Sequence, residues 1–330
     1  MRRSARLAAL LFSACSFLGG GALAKHPQNG EMHSIDAGRD RRVYLLIEHK
    51  AGGEIGRVPI FINLHGAGAS VRNLGSNQIL DFTALPDMGS ALVVYPQGAN
   101  RRWDWYPEGS DDWHRPSGTD GESVEDIAFL RALIAELVKE HNGDPGRVYV
   151  SGISSGGFMT ARVACEMGDV VTAAADIIGT AVKSELESCK KGRAMPFLLM
   201  VSTTDPNTHY TGEETFNGVT LVSALDTVAH FVRRNQCKTR AETPFPHTDL
   251  NDNSTVSLIS YTDCAQGAEV AFYRVDGAGH NVPVNKGPRE DFRNHDIDAV
   301  AEIWGFFKRF RREPATWRQM ARRKTATQTP

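Results

Sequence analysis

The chain has 330 residues, 41% of them hydrophobic and 23% charged, with a formal net charge of −2 at pH 7. Those proportions are ordinary for a soluble globular protein with room for one large domain or two small ones, and they set aside fibrous and disordered classes. A charge so near zero leaves no electrostatic footprint for nucleic acid, which is not expected as a partner.

The first 24 residues, MRRSARLAALLFSACSFLGGGALA, carry Arg2, Arg3 and Arg6 without an acid, then a short apolar middle, then Ala22-Leu23-Ala24. That layout predicts a secretory signal peptide cleaved after Ala24, and hence a secreted or periplasmic protein. Cleavage would move the net charge to about −5. The apolar run is broken by Gly19, Gly20 and Gly21, and no later segment approaches the ~18 apolar residues of a membrane span. Stable membrane insertion is not expected; an N-terminal anchor kept in place is the alternative.

From residue 25 to 311 strand-like and helix-like segments alternate. RRVYLLIEH, ending at His49, VPIFINLHG (58–66) and ALVVYPQG (91–98) read as strands, with the continuous apolar runs of buried parallel strands. At the end of the second stands His65-Gly66-Ala67-Gly68, a His-Gly-x-Gly turn whose backbone N–H groups, above all that of Ala67, are suited to binding an oxyanion. From Arg101 to Glu122 runs a long polar and aromatic loop, of a length often tied to function. Its Trp103, Trp105, Tyr106 and Trp113 offer flat apolar faces to a phenolic, sugar or polyester substrate, or else pack the loop onto the sheet. EDIAFLRALIAELVKEHN (125–142) repeats Ile127, Leu130, Ile134, Leu137 and Val138 at steps of three and four, and Asn142-Gly143 stops it: an amphipathic helix.

RVYVSGIS (147–154) then runs into the helical pattern FMTARVACEM through Gly152-Ile153-Ser154-Ser155-Gly156. Gly-x-Ser-x-Gly between a strand and a helix reads as a nucleophile elbow, a strained turn that lifts the Ser154 hydroxyl above the sheet. Gly152 and Gly156 stand where a side chain would collide with the neighbouring strand and helix. The simpler alternative is a loop whose serine caps the helix; Ser155 suits that task and leaves Ser154 free. The Ser155 N–H is the second candidate oxyanion donor.

TAAADIIG (172–179), FLLMVST (197–203) and EVAFYRV (269–275) continue the strands, and TLVSALDTVAHFVRRNQ and DIDAVAEIWGFFKRF the helices. The alternation predicts an α/β fold, a doubly wound, mostly parallel sheet with helices on both faces. A serine needs a base to take its proton and an acid to orient that base, in the chain order Ser, Asp or Glu, His for such an elbow. Asp205 follows FLLMVST and precedes Pro206. His280 follows EVAFYRV and the flexible Asp276-Gly277-Ala278-Gly279. The rivals are placed worse: Asp176 within a strand, Asp226 within a helix, Asp276 four residues before His280, His230 mid-helix, His209 beside Asp205, and His247 and His295 in polar segments. No spacing suits zinc, and neither a metal nor an organic cofactor is expected.

With Cys15 in the leader, Cys165, Cys189, Cys237 and Cys264 remain, an even number with three possible pairings. Cys237 follows a helix-like segment and Cys264 ends a strand-like one; pairing them leaves Cys165 with Cys189 by elimination. Closing the first loop is worth about 3–4 kcal/mol in the chain-entropy picture. Residues 312–330, at the end of RREPATWRQMARRKTATQTP, read as a basic, disordered tail.

These residues together resemble the secreted esterase/polyhydroxybutyrate depolymerase family, related to feruloyl and acetylxylan esterases, from about Arg39 to about Phe310. Gly38-Arg39 with Arg42-Val43-Tyr44 resembles its opening strand, Leu64-His65-Gly66-Ala67-Gly68 its oxyanion loop, Trp103-Asp104-Trp105-Tyr106 its aromatic segment and Glu125-Asp126-Ile127-Ala128-Phe129 its acidic helix start. Gly152-Ile153-Ser154-Ser155-Gly156-Gly157 is similar to its elbow. Asn235-Gln236-Cys237, Tyr261-Thr262-Asp263-Cys264, Gly267-Ala268-Glu269-Val270 and Gly279-His280 resemble its late pattern. The resemblance implies an α/β-hydrolase fold, a triad of Ser154, Asp205 and His280, and a Cys237–Cys264 disulfide. Four departures bear on substrate, one of them His209, which stands where a proline is common before Tyr210. Val201-Ser202-Thr203-Thr204 stands where the family usually reads His-Gly-Thr, Asn281-Val282-Pro283-Val284 replaces Thr-Trp-Pro-Gly and with it a tryptophan of the acyl pocket, and Arg102 replaces a frequent cysteine. The expected substrate is a hydroxyalkanoate polyester or oligomer. A feruloylated or acetylated plant polysaccharide comes second, and a non-catalytic polymer-binding protein third.

Overall fold

The computed structural model describes residues 30–37, 40–51, 56–72, 79–85, 88–105, 125–189, 192–214, 219–285 and 293–313. The expected leader, most of the expected tail, and Tyr106 and Trp113 lie outside them.

The main sheet has ten strands. Its middle is made by β3 (Val58–Leu64), β4 (Ala91–Pro96), β5 (Gly143–Ile153), β6 (Ala173–Ile177), β7 (Phe197–Ser202) and β12 (Val270–Asp276), all parallel, in the spatial order β4-β3-β5-β6-β7-β12. Antiparallel strands extend both edges: β2 (Asp40–His49) and β1 (Glu31–Ala37) beyond β4, β11 (Thr255–Thr262) and β10 (Thr239–Pro244) beyond β12. A small separate pair, β8 (Glu213–Glu214) and β9 (Thr220–Leu221), lies between β7 and the next helix in sequence. The doubly wound sheet expected from the alternation forms, in the α/β-hydrolase arrangement that the resemblance implies. Chain order reverses around β3, so the crevice at the carboxyl ends of β3 and β5 is the switch point where such sheets bind ligands.

Side-chain alternation divides the core into two layers. On one face Ile60, Ile62 and Leu64 of β3 pack with α1 (Asp126–Glu140), α2 (Ser155–Glu166) and α4 (Ala224–Asn235) through Phe129, Leu133, Met159, Val163 and Phe231. On the other, Phe61 and Tyr149 meet Trp304 and Phe307 of α5 (Ala299–Phe307). The middle strands are buried along nearly their whole length, which is why they read as unbroken apolar runs.

Two edge strands escaped the sequence reading. Every residue of β10, TRAETP, is exposed, so no apolar pattern marks it; it is a strand because its backbone pairs with β11 from Thr239↔Thr262 to Pro244↔Ser257. β1 also has no fully buried residue and takes its place by pairing with β2.

Cys165, on α2, is bonded to Cys189 at the end of α3 (Lys183–Ser188), with their Cα atoms 5.0 Å apart. Cys237, just past α4, is bonded to Cys264, just past β11. A buried ion pair ties α1 to β2: Arg42 Nη2 donates to Asp126 Oδ1 at 2.6 Å, and both side chains are out of solvent. The second oxygen of Asp126 accepts the Asp104 N–H at 2.7 Å. Burial pushes the Asp126 carboxyl up, against the pull of Arg42. Arg162 of α2 in turn donates to the Asp104 backbone carbonyl and faces its carboxylate at 3.3 Å. This chain of charges fastens the segment 103–105 across the top of the helical layer, next to the switch point.

Candidate active site

Ser154 sits between the last residue of β5 and the first of α2 with φ 55° and ψ −116°, a conformation that costs a non-glycine residue of order 1–3 kcal/mol. The surroundings hold it there. Its N–H donates to Ile177 O of β6 at 2.9 Å, and its carbonyl accepts the Phe158 N–H. A Cβ on Gly152 would come within 2.1 Å of Gly156 O, and one on Gly156 within 2.2 Å of Leu64 O. The two glycines let β5, α2 and the end of β3 approach backbone to backbone, and the serine is forced to the crest of the turn.

Asp205 and His280 come from the ends of β7 and β12. His280 Nδ1 lies 2.7 Å from Asp205 Oδ2, and His280 Nε2 lies 3.1 Å from Ser154 Oγ. A carboxylate can only accept, so Nδ1 carries the hydrogen and Nε2 is left as acceptor toward the serine hydroxyl. The other oxygen of Asp205 accepts the N–H groups of Asn207 and Thr208 at 2.8 and 2.9 Å, which fixes a carboxylate only 4% exposed. The histidine loop turns on Gly277 and Gly279, both at positive φ, and the Gly279 N–H donates to Thr204 Oγ1 at 3.2 Å. Thr204, within the stretch that departs from the family pattern, thus clasps the loop that bears the imidazole.

The rivals stay apart from this chain of contacts. Asp176 is buried in β6, where burial pushes its carboxyl well above the usual carboxylate range. Asp226 interacts with Ser223 at the start of α4, and Asp276 pairs with Arg274. His209 meets Pro206 O, His247 meets Asp296 and His295 meets Val284 O, while His230 is part of α4. Among the described residues one trio brings metal-ligand atoms together, Cys165, Cys189 and His230, but its two sulfurs are bonded to each other and offer no thiolate.

Ala67 and Ser155 line one cavity of about 430 Å³, together with Gly68, Arg101, Arg102 and Trp105. Neither the Ala67 nor the Ser155 N–H has a backbone acceptor among the described residues. The loop that presents Ala67 is braced by His65, which is 1% exposed. Burial lowers its imidazole to about 4, so it is neutral; Nδ1 donates to Gly66 O at 2.7 Å and Nε2 accepts the Gly98 N–H at 3.0 Å.

The aromatic segment divides, and one expectation changes. Trp103 packs the segment onto the sheet: its ring is buried beside the His65 ring and its indole N–H donates to His65 O at 2.8 Å, bracing the Ala67 loop, while the residue also borders the cavity. Trp105 is stacked on Phe158 and reaches the cavity. Ser155 does not cap α2: its hydroxyl is buried without a hydrogen-bond partner, Ser154 occupies the cap position, and that position makes no side-chain cap bond. Sequence reasoning quoted His65 and Asp126 within motifs without their tasks, since each acts through a residue more than 30 positions away.

Residues 43–211 match the family described as Esterase PHB depolymerase, a span that holds Ser154 and Asp205 and stops short of His280. Among curated proteins, the chain is 27% identical over 230 residues to feruloyl esterase B of Piromyces equi, covering 67% of this chain and 39% of that one. It is 28% identical over 139 residues to poly(3-hydroxyalkanoate) depolymerase C of Paucimonas lemoignei, covering 41% of this chain and 31% of that one. The chain therefore spans about a third of the length of these relatives. Among solved structures it resembles acetyl xylan esterase from Aspergillus awamori, with a TM-score of 0.56 and 12% identity over 84% of this chain and 99% of that one, a likeness of fold.

Proposed function

The chain belongs to the family described as Esterase PHB depolymerase, and from that premise we propose that it is a secreted serine carboxylesterase that cuts hydroxyalkanoate esters, short polyhydroxybutyrate-type oligomers first, through an acyl-enzyme. In this reading Ser154 Oγ attacks the ester carbonyl as its proton passes to His280 Nε2. Asp205, its carboxylate held by the Asn207 and Thr208 amides, keeps the imidazole in the receptive tautomer and stabilises the imidazolium. The Ala67 and Ser155 N–H groups receive the developing oxyanion; a donor of that kind typically contributes ~3–4 kcal/mol to the transition state. The imidazolium then protonates the leaving alcohol, and water, activated by the same nitrogen, releases the acid from Ser154. The observation that carries the reading is the unbroken line Asp205, His280, Ser154, at 2.7 and 3.1 Å, assembled from three separate strand ends. Two disulfides support an oxidising compartment, and among the described residues no helix is long and apolar enough to cross a membrane.

Hydrolysis of a chromogenic butyrate ester tests the reaction. Wild type should turn it over and Ser154→Ala should lose at least about a thousandfold in kcat; equal activity in the two would refute the assignment. A second substrate reading, a feruloyl or acetyl ester of plant polysaccharide, is favoured by Trp105, which brings a ring to the cavity beside Ser155. Faster release of ferulate from methyl ferulate than of 3-hydroxybutyrate from its trimer would select that reading.

A further inference from the structure

The cavity that Ala67 and Ser155 line has two arginines on its wall. Arg101 and Arg102 stand there with Ala67, Gly68, Trp105 and Ser155, so two arginines border the same space as both candidate oxyanion donors. The nearby acid in the same segment, Asp104, is turned into the protein toward Arg162 and is 2% exposed. Among the described residues no carboxylate pairs with Arg101, whose side chain is exposed. A volume of about 430 Å³ falls within the usual range of small-molecule sites.

The backbone fixes where Arg101 stands. Asn100 and Arg101 are consecutive non-glycine residues with φ of 49° and 63°, a strained pair. The turn is closed by Arg101 N–H to Gly98 O at 3.0 Å and Arg102 N–H to Ala99 O at 2.9 Å. The Arg101 carbonyl accepts the Gly68 N–H at 2.9 Å, so the turn is bonded to the loop that presents Ala67. Gly98, where the turn begins, is the residue whose amide His65 holds. The turn thus carries Arg101 in register with the oxyanion loop.

We propose that Arg101 is a specificity residue that recognises a carboxylate carried by the substrate, and that the ester cut fastest is one whose leaving alcohol ends in a free carboxylate. The inference rests on the ester hydrolysis at Ser154 proposed above. A guanidinium presents paired N–H donors that match the two oxygens of a carboxylate, so the chemistry selects for that group over a neutral end. The terminal bond of a hydroxyalkanoate oligomer has this form: the ester oxygen belongs to a hydroxy acid whose own carboxylate lies three bonds away. Hydrolysis there consumes one water, forms a carboxylic acid on the acyl side and frees the hydroxy acid from the alcohol side. A uronate on a plant polysaccharide offers the same charged group from another source.

The test compares kcat/KM for the 3-hydroxybutyrate trimer as the free acid and as its methyl ester, within each of wild type, Arg101→Gln and Arg101→Lys. A ratio taken within one preparation does not depend on how much of a variant folds. Wild type should prefer the free acid about five- to tenfold, the scale of a partly solvated charge pair. The preference should fall as salt is raised; Arg101→Gln should bring the ratio to near one and Arg101→Lys should keep part of it. A wild-type ratio of one or less, or an unchanged ratio in Arg101→Gln, overturns the inference and leaves the esterase reading standing. If a chromogenic ester is cut and neither trimer form is, the same comparison is made on acetylated xylo-oligosaccharides with and without a glucuronate branch. Preference for the branched form then upholds carboxylate recognition with a uronate as its source, and indifference overturns it. If wild type cuts no ester of any kind, both readings fall.

Discussion

The elbow at residues 152–157 and the segment 98–105 face each other across one cavity, yet they are held in shape by different means. The elbow is a steric object. Its glycines admit backbone atoms of β3 and α2 where any Cβ would collide, and its constraints lie within a few residues of the serine they shape. The segment 98–105 is an electrostatic object, fastened by Arg42, Asp126 and Arg162 from one side and by His65 from the other. Damage to the first should act on turnover before stability, and damage to the second should act on both, because its anchors are buried polar groups.

The sharpest break of that contrast is Asp126→Ala. It leaves Arg42 buried without its carboxylate and the Asp104 amide without its acceptor, so unfolding in urea should show a loss of about 3–5 kcal/mol. A loss below about 1 kcal/mol would mean that the segment does not depend on the pair. The next effect is on pH. Burial lowers the His65 imidazole from 6.5 to about 4, so between those values the unfolded chain takes up a proton there that the folded chain refuses. The contribution is present in full above pH 6.5 and is lost as pH falls toward about 4, for a total of roughly 3 kcal/mol. His230, lowered to about 4 in the same direction, adds to the slope and remains in a His65→Gln variant. That variant should therefore show a shallower fall in stability across this window than wild type, and parallel curves would remove His65 as the brace. The smallest change in free energy is expected at the elbow. Gly156→Ala, with its Cβ 2.2 Å from Leu64 O, should lower kcat on a short ester by about a hundredfold, some 2.7 kcal/mol. It should cost the fold less than Asp126→Ala does; an equal loss of stability would erase the distinction between the two regions.

The same distinction governs what the sequence alone makes legible. The elbow was legible because its requirement is local: Gly-x-Ser-x-Gly between an apolar run and an amphipathic helix has a meaning within a dozen residues. Asp205 and His280 are legible because each stands in the loop after a buried strand, and the doubly wound sheet because its middle strands are mostly apolar. Long-range pairing left no such trace. Nothing near Asp126 in sequence announces Arg42, and nothing near His65 announces the Gly98 amide. Composition alone does not separate the tasks of the aromatic segment, in which the Trp103 indole braces the His65 carbonyl and the Trp105 ring stacks on Phe158, both beside the cavity. β10 was invisible for a related reason: its partners are backbone atoms of β11, and its side chains are all exposed.

The amide of Ser154 is bonded to Ile177 of the neighbouring strand, so the proposed nucleophile takes its bearings from the sheet. Residues 100–102 and 105 line the cavity without forming that bond, so on the proposed reading exchanges there should leave the point of attack in place. Libraries confined to those positions are the natural starting material for teaching this scaffold new selectivities.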